Sequence, residues 1–337
     1  MDRSERISGS LFGLAFGDAL GAPAEFMRVD EILQRWPPEG PTVPEGEVFR
    51  VTDDTQMALA VGEALLEGQA AGSVDPERLD VLFRKHFVAW WRSPENDRAP
   101  GRTCLQACED LAKGKPWLEA SVPGSKGCGA NMRVAPIAFA AEKRGPISQL
   151  QAALTHGHPT GLAASELTAE AIAGLAAGVA PRELVPLLRG HAEANRHVYH
   201  EVLGDLWKRP VCTEATHFIE RGWDECLAVL ARLEVALRSP DRSRDPCEAT
   251  GEGWVAEEAL ATGLLSFLLY PDEPLLALRR AACTGGDSDS IASLTGSFAG
   301  AHCGVGAWPT EWFERIEYRP RLERLCEGLA ALAPRSA

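Results

Sequence analysis

Basic residues are scarce in this sequence. It has 34 lysine and arginine residues against 48 aspartate and glutamate residues, which gives a formal net charge of −14. Non-specific nucleic-acid binding depends on a basic field that releases counterions from the phosphates, so we expect no nucleic-acid partner. An acidic field also repels phosphate-bearing small molecules. Any such ligand must therefore be held by local groups, such as backbone N–H groups or metal ions.

Long apolar runs and paired cysteine motifs are also missing. No stretch approaches the ~20 consecutive apolar residues of a membrane span, and the opening MDRSERISGS is too polar for a secretion signal. The closest two of the nine cysteines, Cys104 and Cys108, fit neither a CxxC redox motif nor a zinc knuckle. We predict a cytoplasmic protein with reduced thiols and no membrane partner.

Signals for β-strands are few. EVFRVT, at 47–52, is the nearest approach to a strand, and it is short. Segments rich in Ala, Leu and Glu instead place apolar residues at i, i+3 and i+4, which is typical of helices; examples are TDDTQMALAVGEALLEG, PTGLAASELTAEAIAGLAAG and GWDECLAVLARLEVALRS. The sequence predicts an all-α protein with one domain over 1–337, in which the more polar 190–250 forms peripheral helices and loops.

Two predicted helices carry glycine at every fourth position. These residues are Gly9, Gly13, Gly17 and Gly21 in the first segment and Gly296, Gly300 and Gly304 in the second. Glycine inside a helix costs roughly 0.5–1 kcal/mol relative to alanine, so the pattern needs a compensating gain. Close packing of the two helix backbones would supply it, and it would join the two ends of the chain in one core. No apolar stripe is then left over, so we expect a monomer.

Two acidic turns, VTDDTQ at 51–56 and TGGDSDS at 284–290, precede apolar helical runs. One interpretation is helix capping, by Thr52 or Asp53 in the first turn and by Asp287 or Ser288 in the second. A helix needs only one capping oxygen, however, and each turn offers two carboxylates with neighbouring hydroxyls. Oxygen ligands suit hard cations such as Mg²⁺, Mn²⁺ or Ca²⁺. We predict that the two turns form one site, and that their four carboxylates share two ions.

A glycine-rich loop and a histidine pair complete the candidate residues. VPGSKGCGANMR, at 122–133, matches no nucleotide-binding motif, but its backbone N–H groups could hold an anion. In THGHPTG, at 155–161, Pro159 favours a helix start with His158 at the cap. His156 then lies just outside the helix, either as a polar ligand contact or as a simple loop residue.

Six segments of the sequence together resemble the ADP-ribosylglycohydrolases, a family that includes the dinitrogenase reductase-activating glycohydrolase and the ADP-ribosyl-arginine and ADP-ribosyl-serine hydrolases. The segments are GLAFGDALGAPAEF, VTDDTQMALA, GSKGCGANMRVAPI, THGHPTGLAASE, GWVAEEALATGLLSFL and TGGDSDSIASLTGSFAGAHCG. They occur in the family's order and cover most of the chain. The resemblance implies a single compact multi-helix domain with two Mg²⁺ (or Mn²⁺) ions in a central cleft.

The resemblance also implies roles for residues at matching motif positions. The metal ligands would be Thr52, Asp53, Asp54, Asp287, Asp289 and Ser290, the last of which is threonine in many relatives. The substrate-binding residues would be Ser125, Lys126, Gly127, Cys128, Gly129, Asn131 and His156. The catalytic residues would be Glu25, Asp54, Asp289 and Asp97. The loop that contains Asp97, SPENDRAPGRT, has extra residues between Asp97 and Gly101 compared with the family's PxDxGxT.

The function implied by the resemblance is metal-dependent removal of ADP-ribose from modified protein side chains, with the N-glycosidic bond of ADP-ribosyl-arginine favoured. Metal-activated water would attack C1″ of the distal ribose through an oxocarbenium-like transition state. The expected partners are ADP-ribosylated proteins or ADP-ribose. The alternatives are hydrolysis of O-linked ADP-ribosyl-serine or O-acetyl-ADP-ribose, a non-catalytic ADP-ribose-binding protein, and a phosphohydrolase that releases AMP.

Overall fold

The fold is built from α-helices. The computed structural model describes residues 1–72, 74–140, 143–209 and 212–332. Within these ranges β-structure is limited to isolated bridges, one of which pairs Phe49 of EVFRVT with Ile316. The helices are α1 Arg3–Gly21, α2 Val29–Arg35, α3 Asp53–Ala70, α4 Pro76–Arg92, α5 Arg102–Ala112, α6 Trp117–Ala120, α7 Arg144–Ala153, α8 Pro159–Ala176, α9 Pro181–Asn195, α10 Ala215–Arg238, α11 Cys247–Thr250, α12 Ala256–Leu269, α13 Pro274–Ala282, α14 Ser288–Cys303, α15 Thr310–Arg315 and α16 Arg319–Ala331. The all-α prediction is confirmed.

Two helices begin at capping residues that were predicted from the sequence. Thr52 is the N-cap of α3, and its hydroxyl accepts a hydrogen bond from the Asp54 N–H. His158 is the N-cap of α8, where its Nδ1 accepts from the Thr160 N–H at 3.2 Å. Both caps satisfy backbone donors that have no partner inside the helix. No helix in the described part of the chain combines the length and apolarity that a membrane crossing needs.

The glycine stripes pack α1 against α14 in antiparallel fashion, as predicted. A Cβ added at Gly13 would lie 2.2 Å from the Gly296 carbonyl oxygen, and one at Gly9 would lie 2.4 Å from the Gly300 carbonyl oxygen. Gly304 is the C-cap of α14, with a φ of 77°, and it still takes part in the contact, since a Cβ added at Gly9 would lie 2.5 Å from the Gly304 carbonyl carbon. The contact continues to Gly21, which meets the Ser288 carbonyl. The end of α1 therefore lies beside the start of α14.

A large cluster of buried hydrophobic residues surrounds this helix pair and includes residues from Ile7 to Leu332. Arg3 at the start of α1 donates hydrogen bonds to the Phe139 and Leu329 carbonyls, at 2.7 and 2.9 Å. Residues near both ends of the described chain thus share one core. The assignment of 1–337 to one domain, with 190–250 at its periphery, stays a prediction.

Candidate active site

Glu25 and the second acidic turn meet at the junction of α1 and α14. Glu25 lies just beyond the short 3-10 turn Ala22–Ala24 that follows α1, while Asp287 and Asp289 lie at the start of α14. One carboxylate oxygen from each of these three residues lies within 4.8 Å of the others. The antiparallel helix packing therefore brings together carboxylates that are more than 260 residues apart in sequence.

Asp287 occupies the N-cap position of α14, but its side chain makes no capping hydrogen bond. Its backbone N–H donates to the Glu252 carbonyl at 2.8 Å, and its Oδ2 accepts from the Cys128 thiol at 2.8 Å. Asp289 Oδ1 accepts from the Ser290 N–H at 2.9 Å. The Asp287 carboxylate is thus directed into the site and is not used to stabilise the helix.

The turn at the start of α3 is fixed by Asp18, a buried residue of α1. Its carboxylate accepts hydrogen bonds from the Thr52 N–H and hydroxyl, at 3.0 and 2.8 Å, and from the Thr55 N–H and hydroxyl, at 3.0 and 2.5 Å. Because the Thr52 proton points at Asp18, a lone pair of the Thr52 oxygen remains available to a cation. Asp18 therefore sets the orientation of the first acidic turn.

The carboxylates of the two turns act on one another electrostatically. Burial and the negative charge of Asp289 together raise the pKa of Asp54 well above its ordinary value, and Asp287 adds to the effect. The same two causes, led by burial, raise the pKa of Asp53 to about 8 and that of Asp18 to about 7.

The pKa values of Glu25 and of the second acidic turn are raised by the same causes. Burial, followed by the charges of Asp289, Asp53 and Asp18, raises the pKa of Glu25 to about 9. Burial and then Asp289 raise the pKa of Asp287, and burial raises the pKa of Asp289 itself. Repulsion among neighbouring carboxylates favours a bound proton or cation.

The glycine loop lies against the same space. The Cys128 N–H donates to the Trp254 carbonyl at 3.1 Å, and the Ala256 N–H donates to the Lys126 carbonyl at 2.8 Å, which ties the loop to the start of α12. In the residues that the structure describes, the backbone N–H groups of Lys126 and Gly127 have no hydrogen-bond partner. Such groups can bind an anion.

His156 packs beneath this loop. Its ring is 2% exposed, and its Nδ1 lies 2.8 Å from the Thr155 hydroxyl. Burial, with a contribution from the Arg133 charge, lowers the pKa of His156 to about 3, so the ring is neutral. A Cβ at Gly129 would lie 3.0 Å from the His156 ring. The glycine is therefore needed for the loop to lie this close to the histidine.

Three predicted substrate-binding residues already interact with other groups of the protein. The Lys126 ammonium forms ion pairs with Glu225, at 2.8 Å, and with Glu257, so its charge is already neutralised. The Ser125 hydroxyl lies 2.9 Å from the Thr103 hydroxyl. Asn131 is fully buried, and its amide donates to the Ala256 carbonyl at 3.0 Å. Asn131 therefore links the glycine loop to the start of α12.

Asp97 does not join the cluster. Its side chain is 65% exposed and lies 3.6 Å from the Arg98 guanidinium. Arg98 in turn donates hydrogen bonds to the Val51 carbonyl and to Glu317. The extended loop instead contributes the backbone N–H of Gly101, which donates to Asp53 Oδ2 at 3.4 Å. The structure gives no support to a catalytic role for Asp97.

Two features of the site are absent from the sequence-based prediction. The first is Asp18, whose one signal is a single acidic residue within the apolar helical run LFGLAFGDALG. The second is an aromatic pair at the rim, where Phe26 stacks on Trp254 with centroids 5.4 Å apart and planes 15° apart. Phe26 is 69% exposed and has a φ of 65°, a strained conformation for a bulky residue. No spacing in the sequence predicts that these rings meet.

This protein belongs to the class of all-α folds in which a glycine loop faces a buried group of carboxylates. The family model described as ADP-ribosylglycohydrolase matches residues 1–337, and the chain belongs to this family. The predicted resemblance is thereby confirmed, and the family names indicate a glycohydrolase.

Individual relatives agree with this assignment. ADP-ribosylarginine hydrolase Tri1 of Serratia proteamaculans is 27% identical, over 98% of this chain and 80% of the relative. ADP-ribosyl-[dinitrogen reductase] glycohydrolase of Rhodospirillum rubrum is 27% identical, over 98% of this chain and 97% of the relative. A solved structure, titled ADP-ribosylglycohydrolase-related protein complex, superimposes with a TM-score of 0.68 at 25% identity and covers 98% of each chain.

Proposed function

We propose that this protein is a metal-dependent hydrolase that releases ADP-ribose from modified protein side chains, with ADP-ribosyl-arginine as the preferred substrate. The observation that carries the proposal is a group of carboxylates: Glu25, Asp287 and Asp289 each place an oxygen within 4.8 Å of the others, and the charge of Asp289 acts on the buried Asp53 and Asp54 of the first turn. Among the described residues, no lysine or arginine forms a hydrogen bond or ion pair with any of them. Uncompensated buried charge of this size requires bound cations or protons.

The donor set fits divalent cations. Asp54 is 2% exposed, and its Oδ1 has no hydrogen-bond partner, as expected of a ligand oxygen. Thr52, Asp53 and Asp54 would hold two Mg²⁺ or Mn²⁺ ions from one side, and Asp287, Asp289 and Ser290 from the other. Such ions would supply a water molecule of lowered pKa and polarise the ribose hydroxyls.

The residues of the chain provide orientation and proton transfer. Asp18 holds the first turn in place through Thr52 and Thr55. Glu25 is the least buried of these carboxylates, so it is the one best placed to reach the substrate. We assign to it the transfer of a proton to the leaving group. The unpartnered N–H groups of the glycine loop would anchor the diphosphate and supply binding energy remote from the ribose.

Two observations favour arginine as the acceptor. Relatives across 98% of the chain carry names that specify ADP-ribosylarginine or dinitrogen reductase. The stacked rings of Phe26 and Trp254 also lie at the rim of an acidic site. A guanidinium stacks on aromatic faces and pairs with carboxylates, whereas a serine side chain does neither.

The test is to incubate the full chain with ADP-ribosylated arginine and serine peptides in Mg²⁺ or in EDTA, and to separate the products by chromatography. We expect intact ADP-ribose, released faster from arginine and only with the divalent ion. AMP as the product would indicate attack on the pyrophosphate. Tight binding of ADP-ribose without release would indicate a binding protein. Either result would overturn the proposal.

Variants connect the activity to the site. Asp54→Asn should abolish release, because it removes a charged ligand oxygen while keeping the shape of the side chain. Asp205→Asn is the matched control, because Asp205 is 67% exposed and its carboxylate pairs with the exposed Lys208. Equal activity of the two variants would place the reaction elsewhere in the molecule.

A further inference from the structure

The hydroxyl of Thr155 lies between a buried guanidinium and the neutral ring of His156. Its oxygen accepts a hydrogen bond from Arg133 Nη2 at 2.7 Å and lies 2.8 Å from His156 Nδ1. A guanidinium can only donate, so the hydroxyl keeps its own proton for another acceptor. The Ala152 carbonyl is the competing acceptor, but it lies 3.3 Å away, beyond the usual O–H···O range of about 2.5–3.0 Å. The geometry therefore favours donation from Thr155 to Nδ1.

Arg133 holds the Thr155 hydroxyl in this orientation. The arginine is 0% exposed, and within the described part of the chain no carboxylate forms an ion pair with it. Its Nε donates to Gln151 Oε1 at 2.6 Å, and its Nη2 also donates to the Gln151 carbonyl at 2.8 Å. The guanidinium carbon lies 4.4 Å from the centroid of the Phe87 ring. A hydrogen bond from this fixed charge polarises the hydroxyl and makes Thr155 a stronger donor to His156.

The other ring nitrogen of His156 faces the glycine loop. A neutral imidazole that accepts at Nδ1 carries its proton on Nε2. Nε2 has no hydrogen-bond partner among the described residues, although the histidine is only 2% exposed. A Cβ would lie 3.3 Å from this nitrogen at Gly127 and 3.4 Å from it at Gly129. Gly127 thus has a ring nitrogen beside it as well as its own unpartnered backbone N–H.

We propose that Thr155, held by Arg133, is a positioning residue that fixes His156 as the Nε2–H tautomer, so that the ring donates a hydrogen bond to a diphosphate at the glycine loop. The other tautomer would turn the Nε2 lone pair toward the anion and repel it. A flip of the ring would give up the hydrogen bond with Thr155, so the ring orientation is fixed as well. The diphosphate as the acceptor rests on the proposed function, whereas the tautomer of the free protein does not.

The first experiment is NMR of the full chain labelled with ¹⁵N at histidine, because long-range ¹H–¹⁵N correlation spectra distinguish protonated from unprotonated ring nitrogens. His156→Gln removes one of the eight histidine signals and thereby assigns it. At neutral pH we expect an unprotonated Nδ1 and a protonated Nε2, both in the unmodified chain and in Thr155→Ser, which keeps the hydroxyl. Thr155→Val keeps the shape but removes the donor, so it should shift the Nδ1 signal or change the tautomer.

Thr295→Val is the matched control for the loss of a buried hydroxyl. Thr295 is 0% exposed, and its hydroxyl donates to the Ile291 and Gly263 carbonyls, at 2.8 and 3.1 Å. Its replacement should leave the His156 signals unchanged. A protonated Nδ1 in the unmodified chain, or identical His156 signals in Thr155→Val, would overturn the proposal.

The second experiment measures ADP-ribose binding by calorimetry, which requires no turnover. Thr155→Val should weaken binding roughly tenfold, the lower end of the loss for one hydrogen bond to a charged group, and KM should rise with kcat unchanged. In His156→Gln, which has no tautomer to fix, the further change Thr155→Val should cause no additional loss. An equal loss in both backgrounds would show that Thr155 acts only through the fold. The expected tautomer in a chain that binds no ADP-ribose would support the assignment of the proton but contradict the proposed function.

Discussion

At the scale of single residues, Asp18 decides how the first acidic turn is oriented. Its two oxygens accept hydrogen bonds from the N–H and hydroxyl groups of Thr52 and Thr55. Each of these hydrogen bonds is donated to the carboxylate, so neither oxygen can be replaced by a donating group without a loss of partners. Asp18 touches neither the ribose nor the diphosphate in our proposal, and it acts by positioning Thr52.

We expect Asp18→Asn to weaken the site without unfolding the protein. The amide NH₂ would face N–H and O–H donors, leaving buried groups without partners at a cost of about 1–3 kcal/mol. Mg²⁺ should bind about 10–100-fold more weakly, as is usual when a group that orients a ligand is lost. Urea unfolding and Mg²⁺ titration of the activity measure the two effects. A variant with normal Mg²⁺ dependence would show that Asp18 is only structural.

At the scale of secondary-structure elements, the α1–α14 contact sets the geometry of the site. The contact leaves no room for side chains, since a Cβ on Gly13 would lie 2.2 Å from a carbonyl oxygen and one on Gly296 would lie 1.9 Å from another. Any residue larger than glycine must push the two helix axes apart. The separation would be transmitted to Glu25 and Asp289, which lie at the adjacent ends of the same helices.

Gly13→Ala should therefore lower the free energy of unfolding by about 1–3 kcal/mol or more, the usual cost of overpacking, and should reduce activity as well. Gly190→Ala is the matched control. Gly190 lies inside α9 and has no heavy atom within 4 Å of an added Cβ, so alanine should stabilise the helix by roughly 0.5–1 kcal/mol. Denaturant unfolding of both variants checks the opposite signs.

A buried ion cluster links α8 to α9 and to the segment that follows it. Glu166 of α8 is 2% exposed, and its carboxylate lies 2.8 Å from His191 Nε2 and 3.3 Å from His200 Nε2. Burial opposes ionisation of this carboxylate, but the hydrogen bonds from both histidines outweigh it and lower the pKa of Glu166 to about 2. Hydrogen bonding to Glu166 also raises the pKa of His191 against the effect of burial.

The pH dependence of stability should follow from these shifts. The lowered pKa of Glu166 adds stability that is present above its ordinary value of 4.5 and lost as the pH falls toward 2. The raised pKa of His191 adds stability that is present below 6.5 and lost as the pH rises through the folded value. Between pH 4.5 and 6.5, Glu166→Gln should lower the free energy of unfolding by about 3 kcal/mol. Outside that range the loss should be smaller.

Urea unfolding across this pH range measures the effect. Glu193→Gln on α9 is the control, because Glu193 is 59% exposed and pairs with the exposed Arg189; it should change stability by less than about 1 kcal/mol at any pH. A constant difference between Glu166→Gln and the unmodified chain at every pH would contradict the ionic role of this cluster.

At the scale of the whole molecule, a bound ion should stabilise the entire fold. The proposed ligands come from α3 and from the start of α14, and the stripes tie α14 to α1. Unfolding separates these elements and destroys the site. At Mg²⁺ concentrations of about 100 times Kd, the expected gain is roughly 2.7 kcal/mol.

Thermal unfolding in Mg²⁺ and in EDTA tests this expectation. The melting temperature should rise with Mg²⁺ in the unmodified chain and in Asp205→Asn, and it should stay constant in Asp54→Asn. A Mg²⁺ response that survives in Asp54→Asn would locate the ion outside the carboxylate centre.

Much of this protein is determined by the sequence alone, because local patterns act within one element. The i, i+3 and i+4 spacing defines the helices, glycine at every fourth residue defines the close face of α1, and Thr52 and His158 define two helix starts. Each of these features depends on residues a few positions apart. The acidic turns can be recognised for the same reason, since each has more carboxylates than a helix cap requires.

Tertiary structure decided which of these residues meet. It placed Asp18 against Thr52, brought the Cys128 sulfur to Asp287, neutralised Lys126 and left Asp97 at the surface. These contacts join positions far apart in the chain, and they depend on the packing of helix faces that no local pattern specifies. The register of α1 against α14 provides the physical link, because Asp18 of α1 holds the first acidic turn and the second acidic turn begins α14.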